Sequence, residues 1–359
     1  MDLSSAQPAA SHVRVAVVIP ALHRPDLTAR CIESVLRQGL PSNDFEIIVV
    51  ENDADHGPVL PNPFPPHVRQ LLLTENLGFT GAINRGIEAS SSEYALLLNN
   101  DVELGPEFLK LLLNRMESAP QAALAGGKLL MAAEHAVLDG AADALLLGGG
   151  AYRLGHGDPD QGQFNSADVL ACCGAALLAR RSVLDEVGGL DNGFFAYLDD
   201  VDLALRVRLR GHRVVYVPEA CAYHVGSATL GDPVHPKMVE WITRNQIFLL
   251  IKNYPASLLL RLSPRIVVYQ LLWMLRTISG KSFAAYLRGM WGVVRHMGAI
   301  WRERRSVQGA RQLTSAELLM CLRESERQIA SWQNSLPAER RSRLLSVYFE
   351  LFGRARLPL

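Results

Sequence analysis

Blocks of apolar residues alternate with polar clusters along the first hundred positions. Residues 13–19 (VRVAVVI), 45–50 (FEIIVV) and 95–98 (ALLL) are short runs of β-branched or leucine-type residues, as expected of strands buried on both faces. Residues 68–73 form a further strand of the same kind. Pro20 is expected to stop the first strand. Asp26 is placed to cap a helix whose apolar positions Leu27, Cys31, Val35 and Leu36 fall on one face, and Gly39, Pro41 and Ser42 end it. Residues 55–66 are proline-rich loop, and 81–90 form a small-residue helix carrying Asn84 and Arg85. Strand and helix thus alternate, which predicts an α/β fold: a mostly parallel central sheet flanked by helices. The clusters Glu51-Asn52-Asp53, Glu75-Asn76 and Asn99-Asn100-Asp101 follow strands two, three and four, so they gather on one sheet edge.

Further along, residues 106–118 read as a helix, 122–131 and 139–147 as strands, and 169–179 as a strand pair or one bulged strand. Between them, 148–167 (GGGAYRLGHGDPDQGQFNSA) is a long glycine-rich loop, the pattern of a functional lid or of a disordered segment. A short helix over 180–187 is followed by an aromatic run. A second helix then runs to Arg210 and ends at Gly211. Strands are expected over 213–217, stopped by Pro218, and over 220–225, which carries His224. From about Val239 a 3.6-residue period takes over, with long amphipathic helices over 258–276 and 283–301. The expected organisation is a flexible tail over 1–12, a catalytic α/β domain over 13–240, and a helical C-terminal region over 241–359.

Composition narrows the class. The 359 residues are 49% apolar, enough for a sizeable core, and the net charge of zero argues against a nucleic-acid binder. Five cysteines, an odd number without metal-type CxxC spacing, suit reduced cytosolic thiols. The N-terminus has no apolar h-region behind a basic segment, and no window of about 18 residues is free of charge, so neither a signal peptide nor a clear transmembrane helix is expected. The C-terminal helices, with Trp273, Trp291 and Trp301 among Arg and Lys, fit two arrangements: lying in a membrane interface or folding back on the core. The chain is therefore expected to be cytoplasmic, with a peripheral position on the inner face of the membrane left open.

The polar clusters carry the chemistry. Asp101, with the amide oxygen of Asn99, can hold a hard divalent cation through oxygen; capping the next helix is the plainer use of the same residue. Asp199 and Asp200 are adjacent carboxylates behind Phe194, Phe195 and Tyr197, an environment that tunes a carboxylate as a general base. Asp202, by contrast, is explained by Arg206 four residues on. His224, if it reaches Asp101, completes a site for Mg²⁺ or Mn²⁺ with diphosphate oxygens filling the shell. Gly78 and Gly81 permit close backbone approach to a ligand, but neither a dinucleotide fingerprint nor a P-loop is present.

Taken in series, six segments carry a resemblance: 15–38, 45–53, 75–87, 94–104, 174–227 and 241–255. They are similar, in collinear order, to family 2 glycosyltransferases and to their rhamnosyltransferase-like branch. The resemblance implies a GT-A fold with a C-terminal amphipathic helical extension. It also implies inverting transfer of a sugar from a nucleotide-diphosphate donor, dTDP-rhamnose or a UDP-hexose, to a glycan or lipid-linked acceptor in polysaccharide synthesis. Residue by residue, it places the donor nucleotide against Pro20, Ala21, Arg24, Glu51, Asp53, Asn76, Gly78, Phe79, Gly81 and Asn84. Asn99-Asn100-Asp101 stands at the family's Asp-x-Asp motif, with Asn99 and Asn100 orienting the donor and Asp101 on the metal. His224 takes the late metal or diphosphate position. Asp200 takes the place of the base, Asp199 that of the neighbouring glutamate, and Arg244 and Asn245 that of an acceptor or phosphate contact. Two alternatives remain: a nucleotidyltransferase, disfavoured by the glycine-poor segment Pro20 to Pro25, and a non-catalytic sugar-nucleotide-binding protein, disfavoured by the intact Asp101, Asp200 and His224 set.

Overall fold

The computed structural model describes residues 13–57, 67–165, 168–226 and 235–353. The expected tail over 1–12, most of the proline-rich loop, the last two residues of the glycine-rich segment and the loop after Gly226 lie outside them.

The predicted alternation forms β1 (Val15–Ala21), α1 (Pro25–Leu36), β2 (Phe45–Asn52), β3 (Val68–Leu73), α2 (Gly78–Glu88) and β4 (Tyr94–Leu98). These four strands are parallel in the order β3-β2-β1-β4. Their unbroken apolar character follows from burial on both faces: Val15 through Ile19 and Leu96 through Leu98 are fully buried. Pro20 does not stop β1. Pairing with β4 ends at Val18, so the missing N–H of Pro20 falls on an open flank while Pro20 stays in register with Val50. Nor does Asp26 cap α1; it sits in the first turn and pairs with Arg24 at 2.9 Å.

The second half adds β5 (Val102–Leu104), α3 (Phe108–Ser118), β6 (Ala122–Met131), β7 (Glu134–Gly140), β8 (Asp143–Leu145), β9 (Ala151–Arg153), β10 (Ala176–Arg180), α4 (Arg181–Val187), α5 (Asp199–Leu209) and β11 (Arg213–His224). β10 runs antiparallel between β4 and β6, and β11 lies parallel to β6. Two expected strands at 213–217 and 220–225 are one, because Pro218 is absorbed in a bulge between Val217 and Cys221. The expected strand over 139–147 breaks into β7 and β8, and the latter folds back on β9. That hairpin replaces the expected lid. Gly148, Gly149 and Gly150 are buried, and a Cβ on Gly150 would overlap the Tyr269 ring, so this segment is pinned rather than free to close.

Helices α6 (Pro236–Asn253), α7 (Ala256–Ser279), α8 (Phe283–Gly309), α9 (Ser315–Ser335) and α10 (Arg343–Phe352) complete the chain. Of the two arrangements open to them, their inner faces adopt the second: Phe248, Leu262, Val293, Leu322 and Tyr348 join the same hydrophobic cluster as the sheet. A buried polar knot reinforces the joint. Lys252 on α6 bonds Asp191 at 2.5 Å and Asp202 of α5 at 2.8 Å, while Asn253 and Arg206 saturate Asp202 further.

Candidate active site

β5 pairs with the end of β11, with Val102 opposite His224. This pairing brings Asp101, in the turn before β5, to His224. The imidazole Nε2 lies 3.4 Å from Asp101 Oδ1, and Nδ1 lies 2.8 Å from Asp139 Oδ2 on β7. All three residues are buried. Burial opposes the imidazolium, but hydrogen bonds to Asp101 and Asp139 outweigh it and push His224 up to about 9. Burial likewise opposes the Asp139 anion, yet His156, His224 and Arg153 hold its carboxyl well below the usual range. With the Nε2 proton displaced, the donor set fits a hard divalent cation: one carboxylate and one imidazole nitrogen face each other, and Asp139 fixes the ring through its other nitrogen, as metal-binding histidines are commonly oriented. Asn100 points elsewhere, its amide bonding Thr28 Oγ at 3.0 Å.

A second group surrounds Asp200. The chain enters α5 through Phe195, Tyr197 and Leu198, all at positive φ (66°, 68° and 63°), a conformation unfavourable for side chains of this size. Asn245 on α6 holds that segment. It is fully buried, and its amide donates to the carbonyls of Phe194 (3.1 Å), Ala196 (2.9 Å) and Tyr197 (2.8 Å). Arg244 adds a bond to Phe194 O at 2.7 Å. Both residues thus brace the loop before α5, and Asn245 has no surface left for a ligand. Asp199 points inward, where burial and the Asp200 charge push its carboxyl well above the usual range. Asp200 is the more exposed of the two. Its oxygens accept from Gly174 N and Val201 N, each at 2.8 Å, which fixes the carboxylate.

Between the two groups lie residues that sequence reasoning missed. Arg153, opposite Asp143 in the β8–β9 hairpin, donates to Asp139 Oδ2 at 2.8 Å and to Cys173 Sγ at 2.7 Å, and its Nε is 3.6 Å from Asp143 Oδ1. One guanidinium therefore ties the His224 side to the Asp200 side. Ligand atoms of Asp143, Cys173 and Asp200 lie within 4.8 Å of one another. Arg153 already supplies the positive charge of that cluster, so a metal is not needed to explain it. The available signal was Asp139 and Asp143 interrupting an otherwise apolar run over 137–147.

The residues expected at the nucleotide cluster at the carboxyl ends of β1 and β2 and around the start of α2. Pro20 and Ala21 close β1, and Arg24 lies just beyond. Glu51 is buried and accepts from Gln70 at 3.0 Å, while Asp53, at φ 89°, bonds His56 at 2.6 Å. Asn76 Oδ1 accepts from Asn52 and from Gly78 N. Gly78 is at φ 72°, where a Cβ would meet Phe195 O at 2.5 Å. Phe79 and Gly81 follow on the first turn of α2. Asn84 faces away from them: its amide bonds Leu190 O, Leu190 N and Asn192, bracing α2 to the loop after α4.

Comparison with known proteins agrees with this architecture. A family model described as "Glycosyltransferase like family 2" matches residues 12–242. The chain is 27% identical over 242 residues to the O-antigen biosynthesis protein RfbC of Myxococcus xanthus, covering 64% of this chain and 19% of that protein. It is 31% identical over 197 residues to the N-acetylglucosaminyl-diphospho-decaprenol L-rhamnosyltransferase of Mycobacterium tuberculosis, covering 47% of this chain and 62% of that one. The match thus spans less than two thirds of either relative. Among solved structures, residues 1–349 of S. aureus TarS superpose with a TM-score of 0.51 at 12% identity, covering 89% of this chain and 92% of that one; the likeness is of the GT-A fold.

Proposed function

This chain belongs to glycosyltransferase like family 2, and we propose that it transfers a sugar, with inversion, from a nucleotide-diphosphate donor to a hydroxyl of a glycan or lipid-linked acceptor. The observation that carries the reading is the placement of Asp200. It stands at the partly exposed start of α5 with both oxygens fixed by backbone N–H groups, and Arg153, bonded to Asp139 and to Cys173 beside Asp200, links it to the Asp101–His224 pair. A carboxylate so held takes the proton of an acceptor hydroxyl as its oxygen attacks the anomeric carbon. The bond from that carbon to the diphosphate breaks on the opposite face. Asp101 and His224 would hold Mg²⁺ or Mn²⁺, which supplies positive charge to the leaving diphosphate. Glu51 and Asp53, with the backbone around Gly78, would seat the nucleoside. The rhamnosyltransferase among the relatives favours dTDP-rhamnose as donor over a UDP-hexose.

The outer faces of α7 and α8 support a lipid-linked acceptor. Leu260, Val267, Leu271, Leu275, Trp291 and Val294 are all exposed there. Between Glu240 and Glu303 the sequence has no acidic residue, while Arg261, Arg276, Lys281, Arg295 and Arg302 contribute positive charge. An apolar face with this charge bias fits the surface of an anionic bilayer. α7 is long and apolar enough to cross a membrane by length and composition, but its buried Leu258, Leu262 and Tyr269 belong to the protein core, which favours an interfacial position on the cytoplasmic face.

The test is release of nucleoside diphosphate from dTDP-rhamnose and from UDP-hexoses with Mn²⁺ or Mg²⁺. Wild-type protein should release it slowly and only with metal. Asp200→Asn should lose on the order of 10²–10⁴-fold in rate while retaining donor affinity. Release by that variant at the wild-type rate would remove Asp200 from the role of base.

A further inference from the structure

The carboxylate of Asp143 lies deeper than that of Asp200. It is 7% exposed, on β8, and among the described residues its cationic neighbour at close range is Arg153 across the hairpin. The other ionisable groups facing this cluster are Asp139 on β7, Cys172 and Cys173 before β10, and Asp199 and Asp200 on α5; His156 and His224 act on it through Asp139. Among the described residues, the ion-pair and electrostatic partners of Asp143 do not include those expected at the nucleotide.

We propose that Asp143 is a positioning residue for the base, a buried carboxylate whose ionisation, balanced by Arg153, places a second negative charge within 4.8 Å of Asp200 and strengthens its hold on the acceptor's proton. The inference rests on Asp200 being the base. No bond forms to Asp143: the proton moves from the acceptor oxygen to Asp200, and Asp143 acts through its charge alone. Its carboxyl is held up at about 7, by burial first, and then by Asp200 and Asp139 against the pull of Arg153. Below neutrality Asp143 is therefore protonated and Asp200 acts without its neighbour's charge. Above neutrality the charge is present. The rate should climb as Asp143 loses its proton.

The experiment uses the full chain with Asp143→Asn and Arg153→Lys, dTDP-rhamnose and Mn²⁺ as probes, and two readouts. In the pH profile of nucleoside diphosphate release, wild type should show a rise centred near neutrality. Asp143→Asn, which resembles the protonated form, should lack that rise and keep its low-pH rate. Arg153→Lys, a less well placed cation, should move the rise to higher pH. The second readout needs no turnover. A folded-state carboxyl raised above its unfolded value costs stability as pH rises between the two values, so the thermal midpoint of Asp143→Asn should gain on wild type from about pH 4 to about pH 7 and hold level above that. A wild-type-like rise in Asp143→Asn would overturn the proposal. So would a midpoint difference independent of pH, or loss of release at every pH with donor affinity intact, which would make Asp143 a direct substrate contact. The base assignment is judged separately by Asp200→Asn. If Asp143→Asn does not fold, the shift in Arg153→Lys decides: an unmoved rise refutes the inference.

Discussion

Asn245→Ala removes the side chain that holds the entry to α5. Its two amide hydrogens are shared among the carbonyls of Phe194, Ala196 and Tyr197, at 2.8 to 3.1 Å, and its oxygen accepts from Arg244 Nε at 2.9 Å. Phe194 O keeps its bonds from Arg244 and from Ala196 N, so the truncation strips the amide donor from the carbonyls of Ala196 and Tyr197, at about 1–3 kcal/mol each. It therefore costs roughly 2–6 kcal/mol if the loop stays in place. Against it stand three non-glycine residues at positive φ, each unfavourable by roughly 1–2 kcal/mol. Restraint and strain are of the same size, so the segment is expected to relax rather than persist. Asp199 and Asp200 follow directly and would move with it. A displacement of about 1 Å at a reacting group lowers turnover on the order of 10²-fold. The measurement pairs kcat for nucleoside diphosphate release with thermal unfolding and donor titration. The variant should unfold earlier and lose far more in kcat than in donor affinity. A folded Asn245→Ala protein with kcat within about threefold of wild type would refute the view that this amide positions the base.

Lys252→Met leaves Asp191 without its buried partner and Asp202 with only Arg206 and Asn253; loss of about 3 kcal/mol in chemical denaturation is expected, and an unchanged midpoint would show that the knot does not hold α6 to α5. For the outer helical face, Leu271→Glu with Trp291→Glu should reduce sedimentation with phosphatidylglycerol vesicles at least about tenfold and leave release of nucleoside diphosphate in solution intact. Binding that survives both substitutions, or that is as strong on neutral phosphatidylcholine, counts against an anionic interface.

Much of the architecture was legible in order along the chain. Runs such as 13–19 and 45–50 are apolar on both faces, and only a strand covered on both sides requires that. Polar residues directly after such runs had one sheet edge to occupy. Asp101 stands out for that reason, Asp200 as one of two adjacent carboxylates behind an aromatic run and His224 at the end of a strand, and the resemblance implies their roles. Asn84 and Asn245 were flagged too, but sequence could not say that their amides face protein carbonyls rather than ligand.

Tertiary structure decided what depends on which segments meet. Pro20 and Pro218 look like strand ends, yet an open flank and a bulge accommodate them. Gly148 to Gly150 look free, yet Tyr269 and Leu250 from distant helices fill the space beside them. Asp139 and Asp143 show locally only as charges in an apolar run and Arg153 not at all, because their environment is made by the β8–β9 hairpin turning back against Cys173 and by β11 delivering His224. A charge is costly in an apolar run wherever it occurs; only the fold shows which opposite charge offsets the cost, and hence that one arginine joins both halves of the site.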